Sequence, residues 1–161
     1  MRLPTERDQM HMQAAYTMSM VRDLPAYAAS DGTTGVPPQV AVACLESFLM
    51  HIRVITAFFG RSGKKPHKDD FSAVDLVPGW VATPADAAER LAVHWQTATE
   101  LVAHPSRGRL QDDPANPVHE DTSYVALKAM ADDAQRVWEQ FEAAYIAQIA
   151  WTTASSETGG S

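Results

Sequence analysis

Apolar side chains recur every three or four positions near the end of the chain, over a stretch that would make about seven helical turns. They are Tyr124, Leu127, Ala131, Ala134, Trp138, Phe141, Tyr145 and Ile149. This spacing places them on one side of an α-helix, whereas strand side chains alternate between two faces. A helix with one apolar side must pack against other elements, so we predict a helical domain.

Three earlier segments show the same helical period. They cover residues 5–24, 37–60 and 83–104, and the second carries the apolar series Val42, Leu45, Phe48, Leu49, Ile52, Ile55 and Phe59. Thr5 and Thr83 have the chemistry of N-caps, and Pro37-Pro38 suits a first helical turn. Because no segment of the sequence alternates as a strand would, we predict an all-α fold, a four-helix bundle with a long irregular connection between the second and third helices.

One domain is expected, over residues 5–151. The 161 residues of the chain suffice for one sizeable core but not for two ordinary domains. The connection between the second and third helices is expected to pack back over them as a lid through Phe71, Val74, Leu76, Val77 and Trp80. Residues 152–161 (TTASSETGGS) are small and polar and are predicted to form a disordered tail.

Charge and cysteine content restrict the partners and the compartment. Acidic residues outnumber basic ones by 20 to 13, so a net charge of -7 repels nucleic acid and anionic membranes except at a local basic patch. The single cysteine, Cys44, can form no intramolecular disulfide, and the first residues lack the pattern of a secretion signal. We therefore predict a cytoplasmic protein that does not bind membranes.

Polar residues interrupt the apolar second helix at Glu46, His51 and Arg53. Glu46 and Arg53 are seven positions apart and share a side, whereas His51 lies more than a quarter-turn away. Burying such charges unpaired costs on the order of several kcal/mol. Two interpretations stay open: Glu46 and Arg53 form salt bridges with neighbouring helices, or they reach a functional cleft filled with water.

The third helix ends on His104, and Arg107 follows it in the sequence LVAHPSR. One interpretation limits His104 to an interaction with the helix dipole and the terminal carbonyl groups. In the other, His104 and Arg107 point into the same cleft as His51 and Arg53 and supply an acid or base and an anion clamp. These four residues are the candidate catalytic residues.

Three sequence blocks resemble an uncharacterised bacterial family with a HEPN-like helical bundle. They are AVACLESFLMHIRVITAFF at 41–59, DDFSAVDLV at 69–77 and LVAHPSR at 101–107, in that order. The resemblance implies a helical bundle that is often dimeric and, in many such proteins, a metal-independent ribonuclease. The catalytic signature of those ribonucleases is an arginine a few residues before a histidine near a helix end. This sequence departs from the signature, because residues 95–103 before His104 contain no arginine.

The departure favours an interaction protein over a nuclease. The resemblance then implies a homodimer or another protein partner, with RNA or a nucleotide as further candidate ligands, in a bacterial regulatory or defence system. As an alternative it implies a ribonuclease that uses His104 with Arg53 and Arg107. The candidate binding residues are Glu46 and the basic-loop residues Lys64, Lys65 and Lys68, and the lysines have the alternative role of keeping the chain soluble.

No cofactor and no dedicated metal motif are predicted. The sequence has no His-x-x-x-His or Glu-x-x-His pair on a predicted helix and no Gly-rich phosphate loop. A metal-binding helical bundle is a further alternative, with a site assembled from His51, His94 and His104. His94 has the simpler interpretation of a hydrogen-bonded core residue.

Overall fold

A computed structural model describes residues 4–28, 35–61, 70–103 and 123–158. Within these ranges the chain forms six helices and no strand, which confirms the predicted all-α fold class. The helices are α1 Glu6–Asp23, α2 Pro25–Ala28, α3 Pro38–Phe58, α4 Ala73–Leu76, α5 Ala85–Ala103 and α6 Tyr124–Thr158. The four long helices α1, α3, α5 and α6 correspond to the four segments with helical period.

The first long helix begins at the predicted N-cap. The Thr5 hydroxyl accepts a hydrogen bond from the Asp8 backbone N–H at 3.2 Å, and the Asp8 carboxylate accepts one from the Thr5 N–H at 2.8 Å. This reciprocal capping box satisfies backbone donors that the first helical turn leaves unpaired. α3 begins instead with Pro38, whose fixed φ and missing N–H suit the first turn of a helix.

The four long helices contact one another in a closed circuit. α1 lies against α3 and α6, α3 lies against α5, and α5 lies against α6. Side chains from all four fill the core between them. Val21 of α1, Phe48 and Ile52 of α3, Leu91 of α5 and Phe141 of α6 are each 0% exposed.

The described part of the connection between α3 and α5, residues 70–84, packs back on the core as predicted, except that Val74 is 49% exposed. Leu76, at the end of the short helix α4, is 0% exposed. The ring of Trp80 stands edge-on to the ring of Phe141, with centroids 5.6 Å apart, and Phe71 contacts Phe58 in the same way at 6.0 Å. These aromatic contacts attach the connection to α3 and α6.

The last helix is longer than the sequence predicts. α6 ends at Thr158, so the expected end near residue 151 and a disordered tail starting at residue 152 are wrong for residues 152–158. The hydroxyl groups of Thr152, Thr153 and Ser155 donate to carbonyl oxygens four residues earlier, at 2.8–3.0 Å. These bonds satisfy the hydroxyl groups within a helix that composition alone places in a tail. Residues 159–161 lie outside the described residues.

Candidate interaction surface

One side of α3 is apolar and open to solvent along the length of the helix. Its positions recur at intervals of three and four residues: Val40, Ala43, the partly exposed Ser47, Met50, Val54 and Ala57. The largest side chains are well exposed, Val40 by 47%, Met50 by 44% and Val54 by 49%. We call these six residues the α3 stripe. Its period is the one by which a helix packs lengthwise against a second helix.

The opposite side of α3 lies in the core. Phe48, Ile52 and Ile55 are 0% exposed, so this part of the predicted apolar series faces inward. Val42, at the start of that series, is 54% exposed instead. α3 therefore has two apolar sides, and the described residues cover one of them.

α3 is also long and apolar enough to span a membrane, although the core helix of a globular protein meets the same criteria. Of its apolar 18-residue stretch, 28% is buried. Glu46 and Arg53 lie inside that stretch. A charged side chain at the centre of a membrane span costs roughly 2.5–3.5 kcal/mol. The two charges therefore favour a protein or water environment for the exposed side of α3.

Arg53 lies at the edge of the α3 stripe without a carboxylate partner among the described residues. Its Nη1 is 3.6 Å from the sulfur of Met50, and its Nε is buried with no hydrogen-bond partner. Glu46, two helical turns away on the same flank, is exposed. For Arg53, the described part of the chain therefore shows no salt bridge to a neighbouring helix.

His51 and Arg53 do not converge on one cleft. Residues two positions apart on an α-helix project roughly 160° apart. The His51 ring lies edge-on to the ring of Tyr16 on α1, with centroids 5.8 Å apart. Burial lowers the pKa of His51 below its usual value, so this side chain favours the neutral form. The described residues thus separate two of the four candidate catalytic residues.

The other predicted site residues lie outside the described residues. They are the candidate catalytic residues His104 and Arg107 and the candidate binding residues Lys64, Lys65 and Lys68. Arg61, just before the basic loop, donates from Nε to the Ala88 carbonyl oxygen at 3.2 Å. The ribonuclease alternative gains no support from the described ranges, because the two candidate residues within them, Arg53 and His51, face different ways.

The sequence analysis did not predict a charged cluster that lies between α5 and α6. Asp133 is 7% exposed. One of its oxygens accepts from Arg90 Nη2 at 2.7 Å, and the other accepts from Arg90 Nε at 2.8 Å and lies 3.0 Å from His94 Nε2. Burial raises the pKa of Asp133, but the hydrogen bonds from Arg90 and His94 outweigh burial and hold that pKa below its usual value. The interpretation of His94 as a hydrogen-bonded residue is confirmed.

The signal for this cluster was present in the sequence. Asp133 stands between Ala131 and Ala134 of the apolar stripe of α6, where a charge requires a partner. Arg90 and His94 are four positions apart on α5 and therefore share one side of that helix. Nothing local in the sequence shows that this side of α5 meets Asp133.

Asp86 extends the cluster towards solvent. Its carboxylate accepts hydrogen bonds from Arg136 Nη1 at 2.9 Å and from Arg90 Nη2 at 3.0 Å. The bonds from Arg136 and then Arg90 lower the pKa of Asp86 to about 2. Two arginines and two aspartates thus neutralise one another where α5 packs on α6, which is a structural role.

The low pKa of Asp86 predicts that acid lowers the stability of the fold. Its pKa of about 2 in the folded protein lies below the value near 3.9 of an unfolded chain. Ionised Asp86 therefore stabilises the fold above about pH 4, and this contribution is lost as the pH falls towards about 2. We expect urea unfolding of the wild-type protein and an Asp86→Asn variant to give a free-energy difference that shrinks over that window. A difference that stays constant from about pH 7 to about pH 2 would contradict the assigned ion pairs.

A second polar cluster joins α1 to α6. His11 Nε2 lies 2.6 Å from Glu142 Oε1, and the His11 ring stacks on the Tyr145 ring at 4.3 Å between centroids. Arg7 also belongs to this cluster. Its guanidinium carbon lies 5.3 Å from the Tyr145 ring centroid, and the guanidinium donates to the Leu76 carbonyl oxygen. Burial raises the pKa of the Tyr145 phenol. These groups bind one another, which fixes the contacts among α1, α4 and α6.

Two shallow clefts lie beside Arg7, of about 430 Å³ and about 210 Å³. The larger is lined by the start of α1 and the end of α6, including Asp8 and Thr152. Neither contains His11, and Arg7, which lines both, donates to the Leu76 carbonyl oxygen while its buried Nε has no hydrogen-bond partner. In the larger cleft the Asp8 carboxylate already accepts the Thr5 N–H in the capping box.

Within the ranges that the structure describes, no group of three or more His, Cys, Asp or Glu side chains could hold a metal ion. Scans against protein-family models, curated proteins and solved structures found no match to this chain. The HEPN-like resemblance therefore stays a prediction from the three sequence blocks. The exposed apolar residues of the α3 stripe recur at intervals of three and four positions along the length of one helix.

Proposed function

We propose that this chain is a helical interaction protein that binds another protein chain through the α3 stripe. The observation that carries the proposal is the exposed apolar side of α3, because a helix with apolar residues on both sides is normally covered on both. The closed circuit of α1, α3, α5 and α6 supports a four-helix bundle arrangement as part of this proposal.

The chemistry of the α3 stripe suits a protein better than a polyanion. The stripe itself carries no charge, and α3 contains one arginine, Arg53, and no lysine. The chain as a whole has a net charge of -7, which repels phosphate groups. Nucleic-acid interfaces are strongly basic, whereas the centre of a protein interface is apolar and enriched in residues such as Met. RNA or a nucleotide is therefore the weaker candidate for this surface.

Site-specific photo-crosslinking in cells tests the proposal. We expect a photoreactive residue at Met50 to form an adduct with a protein chain, and we expect Val54→Glu to remove that adduct because it places a charge in the apolar contact. The matched control is a photoreactive residue at Val93 on α5. Val93 is 63% exposed but has the exposed polar neighbours Glu89 and Gln96 on its side of the helix.

Two results would count against the proposal. One is equal capture at Met50 and Val93, which would show nonspecific contact with any exposed apolar residue. The other is the absence of any adduct at Met50 in a protein that is folded by circular dichroism.

A further inference from the structure

The α3 stripe has its larger and smaller side chains in an order that complements its own reverse. We consider two copies of α3 that run antiparallel about a two-fold axis near residues 48–49. The facing pairs are then Val40 with Ala57, Ala43 with Val54, and Ser47 with Met50. Each pair joins a small side chain to a larger one, which is how helices pack without voids. A parallel pair in register would set like residues against each other, with gaps at the small ones.

The charges of α3 support the same antiparallel arrangement. Glu46 and Arg53 are the charged residues among its 21 positions, and they lie on one flank of the α3 stripe. A two-fold axis between antiparallel helices places each flank beside the same flank of the other copy. Glu46 of one copy then lies beside Arg53 of the other, with their Cα atoms offset by about 3 Å along the helix axes. The arrangement forms this ion pair twice.

Arg53 supplies an independent observation. Its Nη1 is exposed and lies 3.6 Å from the Met50 sulfur, and no carboxylate among the described residues pairs with it. A carboxylate of a second copy would meet this outer end of the guanidinium and form a charge-assisted hydrogen bond there, whereas the buried Nε is closed to a partner chain. We infer that the α3 stripe binds the α3 stripe of a second copy of this chain, antiparallel about a two-fold axis. This inference rests on the proposed function.

The size of the surface indicates a moderate affinity. A stable interface buries about 800 Å² on each partner. One helix face, roughly 30 Å long and 10 Å wide, supplies only part of that area. Met12 and Tyr16 of α1, each 54% exposed, extend the apolar surface beside His51. We therefore expect dimerisation at micromolar concentrations, which sets the range for its measurement.

Reversing the two charges tests the inference on the full chain. We expect wild-type protein to dimerise in sedimentation experiments between about 1 and 200 µM. Glu46→Arg and Arg53→Glu each place like charges opposite one another twice, so each should weaken self-association by about tenfold or more. A mixture of the two variants should dimerise again, because every facing pair then has opposite charges. Glu89→Arg, the same change at an exposed position of α5, is the control and should dimerise like the wild type.

Native mass spectrometry of the mixture should show heterodimers that contain one chain of each variant. A wild-type protein that stays monomeric would overturn the inference. Dimers that ignore the charge reversals, or variants that mixing does not restore, would also overturn it. If Glu46→Arg fails to fold, Met50→Glu gives a second test, since a glutamate at that place in the α3 stripe should abolish the dimer.

Crosslinking at Met50 separates failure of this inference from failure of the proposed function. If the chain stays monomeric and Met50 forms an adduct with a different protein, the inference that a second copy is the partner is overturned, but the proposed function stands. An intramolecular crosslink, or no adduct at all, overturns both.

Discussion

Replacing Phe141 by alanine should lower the free energy of unfolding by about 3–5 kcal/mol. Phe141 is 0% exposed, and its ring contacts those of Phe58 at 5.0 Å, Trp138 at 5.3 Å and Trp80 at 5.6 Å between centroids. The substitution therefore removes aromatic contacts to α3, to α6 and to the segment after α4 at once. Because packed cores collapse only partly around a deletion, a cavity should remain.

Gln140→Ala is the matched control for Phe141→Ala. It changes the preceding residue of α6, which is exposed, and should leave stability nearly unchanged. Urea unfolding followed by circular dichroism measures both variants. If both variants lose a similarly small amount of unfolding free energy, the aromatic cluster does not hold the segment after α4 on the core.

Asp133→Ala should lower the free energy of unfolding by about 2–3 kcal/mol. The substitution removes the acceptor for Arg90 and His94, and it leaves the His94 side chain, 16% exposed, without its hydrogen bond. Arg90 keeps Asp86 and is 46% exposed, so water replaces part of the lost interaction and limits the cost. The loss should be smaller at low pH, because the wild-type Asp133, whose pKa is below its usual value, is then protonated.

Asp132→Ala separates the effect of burial from the loss of a carboxylate. Asp132 is the neighbouring residue, and it pairs with Lys128 on the exposed side of α6 at 2.7 Å. Exposed pairs four residues apart contribute little, so its removal should cost much less than that of Asp133. Equal costs in chemical unfolding would show that Asp133 acts as a surface charge.

Because α3 has two apolar sides, we expect stability and the proposed association to be changed separately. Ile52 and Ile55 on the inner side belong to the core, whereas Met50 and Val54 on the outer side face solvent. We therefore expect substitutions in the α3 stripe to alter association while the fold persists. Core substitutions such as Phe141→Ala should reduce stability whether or not the chain has a partner.

The sequence by itself determined the four long helices. Apolar residues at intervals of three and four positions, the capping box at Thr5 and the proline at the start of α3 act over one or two turns. Such local signals predicted the all-α class, the four long helices and the inward side of α6 from Leu127 to Tyr145, whereas the predicted end residues Tyr124 and Ile149 are 39% and 42% exposed. The signals failed at the end of α6, where residues with a composition typical of tails continue the helix to Thr158.

Only the tertiary structure decided how the helices use their sides. Arg90 and Asp133 are 43 positions apart, so their ion pair depends on how α5 packs on α6 and not on either helix alone. The same holds for α3, whose sequence is apolar nearly all round and does not say which side the core covers. Periodicity is a local property of a chain, whereas burial is set by neighbours distant in sequence, and the exposed α3 stripe follows from the second.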